Sequence, residues 1–154
     1  MPSSIEKRLA ELNIDLPNPP APAANYVPFV QDGTTLYVSG QLPTQNGELI
    51  TGKLGHDLST EQGAAAAKAC AINLIAQLRN ACGGDFAKFD RVVKLTAFVN
   101  STPDFGEQPQ VVNGASDLMA QVFGDAGKHA RSAVSAPALP FGVAVEIEAI
   151  FRLK

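Results

Sequence analysis

The sequence has no tryptophan, only two cysteines and two histidines, and no run of lysine or arginine. Each shortage excludes a class of function. Twelve basic side chains are set against fifteen acidic ones, for a net charge of −3 and a pI near 5.3. A nucleic-acid-binding chain normally displays a basic stripe and stacking aromatics. Here aromatics are 6% of residues, so no nucleic-acid partner is expected. His56 and His129 have no C-x-x-C or H-x-x-x-H companion, so no metal is expected. P-loop, G-x-G-x-x-G and G-x-S-x-G motifs are missing, which removes the commonest nucleotide and hydrolase readings, and no cofactor is expected. No segment approaches the roughly 18 apolar residues of a membrane span, and Met1 to Leu12 carries charges throughout, unlike a signal peptide. Cys70 and Cys82 fall within one predicted helix, about 18 Å apart at the helical rise, too far for a disulfide. They read as buried thiols, with the cytoplasm as the expected address.

What is present is enough apolar material for a core. Hydrophobic residues make up 45% of 154, which fits one domain. Ser3 or Ser4 can cap a short helix through Leu12, and Leu16 to Pro22 is a proline-rich lead-in. Residues 1–22 are therefore assigned to an N-terminal helix and lead-in, and 23–154 to one α+β domain. Tyr26 to Val30 and Thr35 to Ser39 read as a hairpin around Gln31-Asp32-Gly33-Thr34, with a weaker strand from Glu48 to Thr51 after the turn at Asn46-Gly47. Ser59-Thr60-Glu61-Gln62 has the form of a capping box. Ala67, Cys70, Ala71, Leu74 and Leu78 follow at helical spacing until Gly83-Gly84. The alternation of Arg91 to Val99 predicts a strand, with Val93, Leu95, Ala97 and Val99 on one face and Val92, Lys94, Thr96 and Phe98 on the other. A second helix is expected from Gln108-Pro109 to Gly124, on a stripe of Val111, Ala115, Leu118 and Val122. Strands at Arg131 to Ala136 and Val143 to Phe151 close the chain. The expected fold class is α+β, a single sheet of about six strands with two main helices on one face. The other face carries Phe98 and Ile150, so self-association through the sheet is the expected remedy.

The last strand is the most informative. Val143, Val145, Ile147, Ala149 and Phe151 form one face, and Ala144, Glu146, Glu148 and Ile150 the other. Two carboxylates two residues apart describe either an ordinary solvated strand face or part of a site. If the last two strands pair as a hairpin, with Ala136 facing Val143, Arg131 falls opposite Glu148 and diagonal to Glu146. A slip of one residue would place Arg131 among the valines. This register predicts either a cross-strand ion pair or a pocket in which a guanidinium takes a carboxylate and a glutamate holds water.

Several segments carry a resemblance to a known family. They are Ser39-Gly40-Gln41-Leu42-Pro43, Val92 to Val99, Ala130-Arg131-Ser132, Leu139-Pro140 and Val145-Glu146-Ile147-Glu148-Ala149. In this order they resemble the RidA (YjgF, endoribonuclease L-PSP) family over residues 20 to 153, and the longer N-terminus resembles a longer branch of it. The resemblance implies a chorismate-mutase-like fold and a homotrimer with clefts between subunits. It also implies cofactor-free hydrolysis of enamine or imine intermediates of the 2-aminoacrylate type to a 2-keto acid and ammonia. By position, Arg131 would grip the carboxylate of the substrate and Glu146 would position the attacking water. Tyr26 would line the cleft, Ser39 and Gly40 belong to its loop, Asn113 lies in the matching helix, and Ala133 stands where the family often has cysteine. Departures are that alanine, the Asn25-Tyr26-Val27-Pro28 context and an apparent insertion at Gly106 to Gln110. The alternatives are a non-catalytic binder or sensor of small carboxylates and, less in keeping with the acidic chain, an endoribonuclease.

Overall fold

The computed structural model describes residues 3–19 and 24–154. Helix α1 spans Ser4–Glu11, α2 Thr60–Ala81 and α3 Gln108–Phe123. Strands are β1 (Phe29–Asp32), β2 (Thr35–Gln41), β3 (Thr44–Gln45), β4 (Glu48–Leu49), β5 (Phe89–Asn100), β6 (Ala130–Ala136) and β7 (Val145–Leu153). Pro20, Ala21 and Pro22 of the lead-in, and with them the expected boundary after residue 22, lie outside the described residues.

Local chemistry sets the helix ends. Ser3 and Ser59 each close a reciprocal capping box, with Glu6 and Gln62 as the returning side chains, which satisfies amides that the helix itself leaves unpaired. Gly83 and Gly84 stop α2 with positive φ angles of 64° and 88°, a conformation that favours glycine. Along α2, Ala67, Cys70, Ala71, Leu74 and Leu78 are fully buried. A buried leucine stabilises by about 1.5–3 kcal/mol. Both cysteines are free and buried. Small residues also set how closely α2 and α3 approach: a Cβ at Gly114 would lie 2.0 Å from the carbonyl oxygen of Ala64. Leu9 of α1 joins the same buried cluster, and Arg8 Nε donates to the Gln121 carbonyl at the end of α3 (2.8 Å).

The main sheet has five strands in the order β1-β2-β7-β5-β6, fewer than the six expected. The missing one is the Glu48 region, where β4 pairs only with β3 in a separate ribbon. Asn46 and Gly47 turn that ribbon with φ of 53° and 79°, as a two-residue hairpin requires. The β1–β2 turn is tighter than expected, because Asp32 already pairs with Thr35. At its other end β1 begins only at Phe29, so Tyr26, expected within the strand, precedes it. In β5 a register shift between Val92 and Lys94 inverts the start of the expected alternation: Val92 is fully buried and Val93 is 38% exposed. An extra residue in a strand turns every side chain before it to the other face.

The expected hairpin of the last two strands does not form. β5 lies between them, parallel to β6 and antiparallel to β7. The reason is the helix: β5, α3 and β6 form a crossover unit, and a strand returning through a helix pairs in parallel with the one it left. The connection from β6 to β7 then crosses the end of β5. It is held there by Asn100 Nδ2 donating to the Val143 carbonyl (3.1 Å) and Lys53 Nζ donating to the Pro137 carbonyl (2.7 Å). All three helices were legible, but only α2 and α3 take the helix-covered face that holds Leu95, Ala97, Ile147 and Phe151. The opposite face carries Val30, Tyr37 and Val134 exposed and Phe98 and Ile150 half-buried.

Candidate active site

The register divides the expected site residues into two groups. Glu146 pairs with Phe98, and Phe98 with Val134, on the face without helices. Arg131 pairs with Leu95, and Ala133 with Ala97, so both turn toward the helices. In-register neighbours share a face. Arg131 and Glu146 of one chain thus lie on opposite sides of the sheet, and the cross-strand cluster expected from a hairpin register is overturned by the intervening β5.

In the first group, Gly40 lies against Glu146. Strand β2 loses register with β7 between Val38 and Gln41, and this bulge carries Ser39 and Gly40. A Cβ at Gly40 would sit 3.1 Å from Glu146 Oε1, so glycine leaves the carboxylate the space it occupies. Ser39 Oγ donates to the Val27 carbonyl (2.8 Å) and its amide to the Pro28 carbonyl (2.9 Å), which pins the segment carrying Tyr26. Tyr26 and Gly40 line one hollow of ≈ 530 Å³ together with Asn73, Gln77 and Phe141. Phe141 is 78% exposed and holds a left-handed φ of 59°, a costly conformation for an aromatic residue. It was not singled out from sequence, because its backbone angle leaves no compositional trace beyond the following glycine.

Glu146 has no hydrogen-bond or ion-pair partner among the described residues. Burial raises its pKa above the ordinary 4.5, and the Glu148 carboxylate on the same strand face raises it further. Desolvation and a like charge both disfavour the ionised form. The result is a carboxyl group suited to taking and returning a proton. Cys70 lies beneath it with its thiol 3.5 Å from the Val145 carbonyl, and burial pushes that thiol well above its usual range. A thiol held in that form is poorly suited to act as a nucleophile.

The second group gathers at Arg131 on the edge strand β6. Its Nη1 donates to Ser116 Oγ (3.1 Å) and its Nη2 to the Pro109 carbonyl (3.4 Å). Asn113 is exposed on α3 between them, and residues 109, 113 and 116 fall on one helical stripe. Ser116 and Pro109 were missed from sequence. Their signal was the spacing from Asn113, readable only once α3 is known to cover β6. No group of three or more metal-ligating side chains occurs among the described residues, and none of their helices is long and apolar enough to cross a membrane.

Comparison with known proteins agrees with this architecture. The model of the YjgF/chorismate mutase-like family, whose description also names an endoribonuclease, matches residues 6–151. Protein TCP17 of Trypanosoma cruzi is 50% identical over 151 residues, 97% of this chain and 94% of its own. A 2-iminobutanoate/2-iminopropanoate deaminase of Dermatophagoides farinae is 32% identical over 139 residues, 89% of this chain and 92% of its own. The crystal structure of Atu1372 from Agrobacterium tumefaciens superposes with a TM-score of 0.91 at 49% identity, covering 98% of this chain and 93% of that one.

Proposed function

From the premise that the chain belongs to the YjgF/chorismate mutase-like family, we propose that it hydrolyses reactive 2-imino acids to 2-keto acids and ammonia, without a cofactor, in clefts between the subunits of a homotrimer. The observation that carries this reading is Glu146, a half-buried carboxyl without a partner among the described residues, whose proton affinity is raised by burial and by Glu148. The relatives named as imine deaminases support the chemistry.

The division of the site supports assembly. Arg131 lies on an edge strand and Glu146 on a face that no helix covers, so each is available to a neighbour while neither reaches the other within one chain. The exposed Val30, Tyr37 and Val134 give that face an apolar surface of the kind that symmetric assemblies bury. In the shared cleft, Arg131 of one copy binds the substrate carboxylate through charge-assisted hydrogen bonds. Glu146 of the next copy takes a proton from water as the oxygen adds to the C=N carbon. The same carboxyl returns that proton to nitrogen to give the carbinolamine, then takes the proton of the new hydroxyl and delivers it to nitrogen as the C–N bond breaks, so that ammonia leaves and a carbonyl remains. Such imines already hydrolyse in water, so positioning and one proton relay suffice.

The test is ammonia release from freshly generated 2-iminobutanoate by the purified chain, with the mass in solution measured alongside. The expected result is a rate above the protein-free reaction and a trimeric mass. A chain that binds 2-oxobutanoate yet leaves the rate at the protein-free value is a carboxylate binder, and the deaminase reading is then wrong.

A further inference from the structure

The support of Arg131 extends beyond its own contacts. Ser116 Oγ, which accepts from Arg131 Nη1, lies 2.9 Å from Nε2 of His129, and Nδ1 of His129 lies 2.6 Å from the Gly127 carbonyl oxygen. A carbonyl only accepts, so Nδ1 carries the hydrogen. In the neutral ring Nε2 is then a bare lone pair. The single Ser116 hydrogen is directed to that lone pair, which leaves the serine oxygen free to accept from arginine. The chain of donors runs from Arg131 to Ser116 to His129, with His129 also donating to Gly127, and each bond polarises the next.

Its far end is fixed. A Cβ at Gly127 would lie 2.1 Å from the Met119 carbonyl oxygen, so this backbone is pressed against the last turns of α3. The ion pairs among the described residues join Arg8 to Glu11, Lys128 to Asp125 and Arg152 to Asp90. Arg131 is in none of them. Its guanidinium is thus aimed by neutral acceptors only, which set its direction while leaving its charge for an incoming anion.

We propose that Ser116 and His129 are positioning residues that orient the Arg131 guanidinium for the carboxylate of the substrate. This inference rests on the imine-deaminase reading for the identity of the ligand. A serine hydroxyl that accepts from a charged donor is worth enough that its loss weakens binding about tenfold. Ser116→Ala therefore raises KM for 2-iminobutanoate and the Kd for 2-oxobutanoate about tenfold, with kcat within about twofold of the parent, because Glu146 is untouched. Ser116→Thr keeps a hydroxyl and restores both values. His129→Phe copies the alanine variant more weakly, and His129→Gln, with an acceptor near the Nε2 position, recovers most of the loss.

Nitrogen NMR of the two imidazoles in the unmodified protein supplies a readout that needs neither turnover nor a variant: His129 is expected as the Nδ1-protonated tautomer. An Nε2-protonated ring overturns the proposal even if Ser116→Ala fails to fold. So does an unchanged KM and Kd in a folded Ser116→Ala protein that deaminates like its parent. If the parent shows no deamination but binds 2-oxobutanoate, and Ser116→Ala weakens that binding, the positioning role stands and the enzymatic reading falls. If the parent neither deaminates nor binds the keto acid, both fall together.

Discussion

Arg131 and Glu146 belong to the same sheet, yet the protein treats them in opposite ways. Arg131 is held at two points by α3, each a neutral acceptor. Glu146 has no hydrogen-bond partner among the described residues, and its surroundings disfavour its charge. A group that binds must be aimed before the ligand arrives, whereas one that relays a proton must not be committed to a permanent partner. The largest effect should therefore come from removing the uncommitted group. Glu146→Gln keeps the shape and loses the base, and kcat is expected to fall by about 100-fold or more, with KM in the parental range. Progress curves at saturating 2-iminobutanoate check this, and a variant with unchanged kcat would assign the proton relay elsewhere.

Arg131→Ala should be next in size. Losing a charge-assisted grip on a carboxylate raises KM roughly 10- to 100-fold, with a matching loss of 2-oxobutanoate affinity in calorimetry. The two variants also test whether the groups meet across subunits. No cleft with both native groups exists in a trimer of either variant alone. Trimers assembled from an equal mixture hold some clefts with both native groups, and about a quarter of the parental activity should return by simple ring statistics. No recovery after mixing and reassembly would mean that the two groups do not share a cleft.

Gly40→Ala probes the contact between the bulge and the carboxylate. The added methyl would stand 3.1 Å from Glu146 Oε1, so the flexible glutamate must shift by a few tenths of an ångström. The fold should survive, and kcat should drop several-fold through misplacement of the base. Circular dichroism with the same progress curves separates a displaced base from a damaged fold.

How much of this was legible in the sequence follows from the range of each signal. The helix cap at Ser3, one of two serines offered, the capping box at Ser59, the turn at Asn46-Gly47 and the alternation of Val145 to Phe151 are local, and they appear where expected. The pairing of β6 was misread because the crossover through α3 sets it parallel to β5, with β7 on the other edge of β5, and nothing within Arg131 to Ala136 encodes that. The start of β5 was misread for a smaller reason, since a bulge near Val93 inverts a face without altering composition. Arg131 and Glu146 were both picked out, but their opposite faces were not. Ser116 and His129 were invisible because they matter only through a contact between α3 and β6.

The smallest predicted effect isolates the cause of the raised Glu146 pKa. Burial is its larger cause and Glu148 the smaller. Glu148→Gln removes only the like charge, so the acid limb of kcat should move to lower pH while remaining above the ordinary carboxylate value of 4.5. The linkage has a definite sign. A carboxyl whose folded pKa is raised favours folding while it stays protonated, and that contribution is lost as pH rises from 4.5 through the folded value. The glutamate therefore destabilises the protein slightly at neutral pH, and Glu146→Gln, the variant without a base, should melt slightly higher at pH 7. That gain should shrink toward zero as the pH falls below 4.5, where both states hold the proton. A thermal advantage that persisted unchanged in acid would have to come from packing, and the account of Glu146 as an electrostatically strained group would then fail.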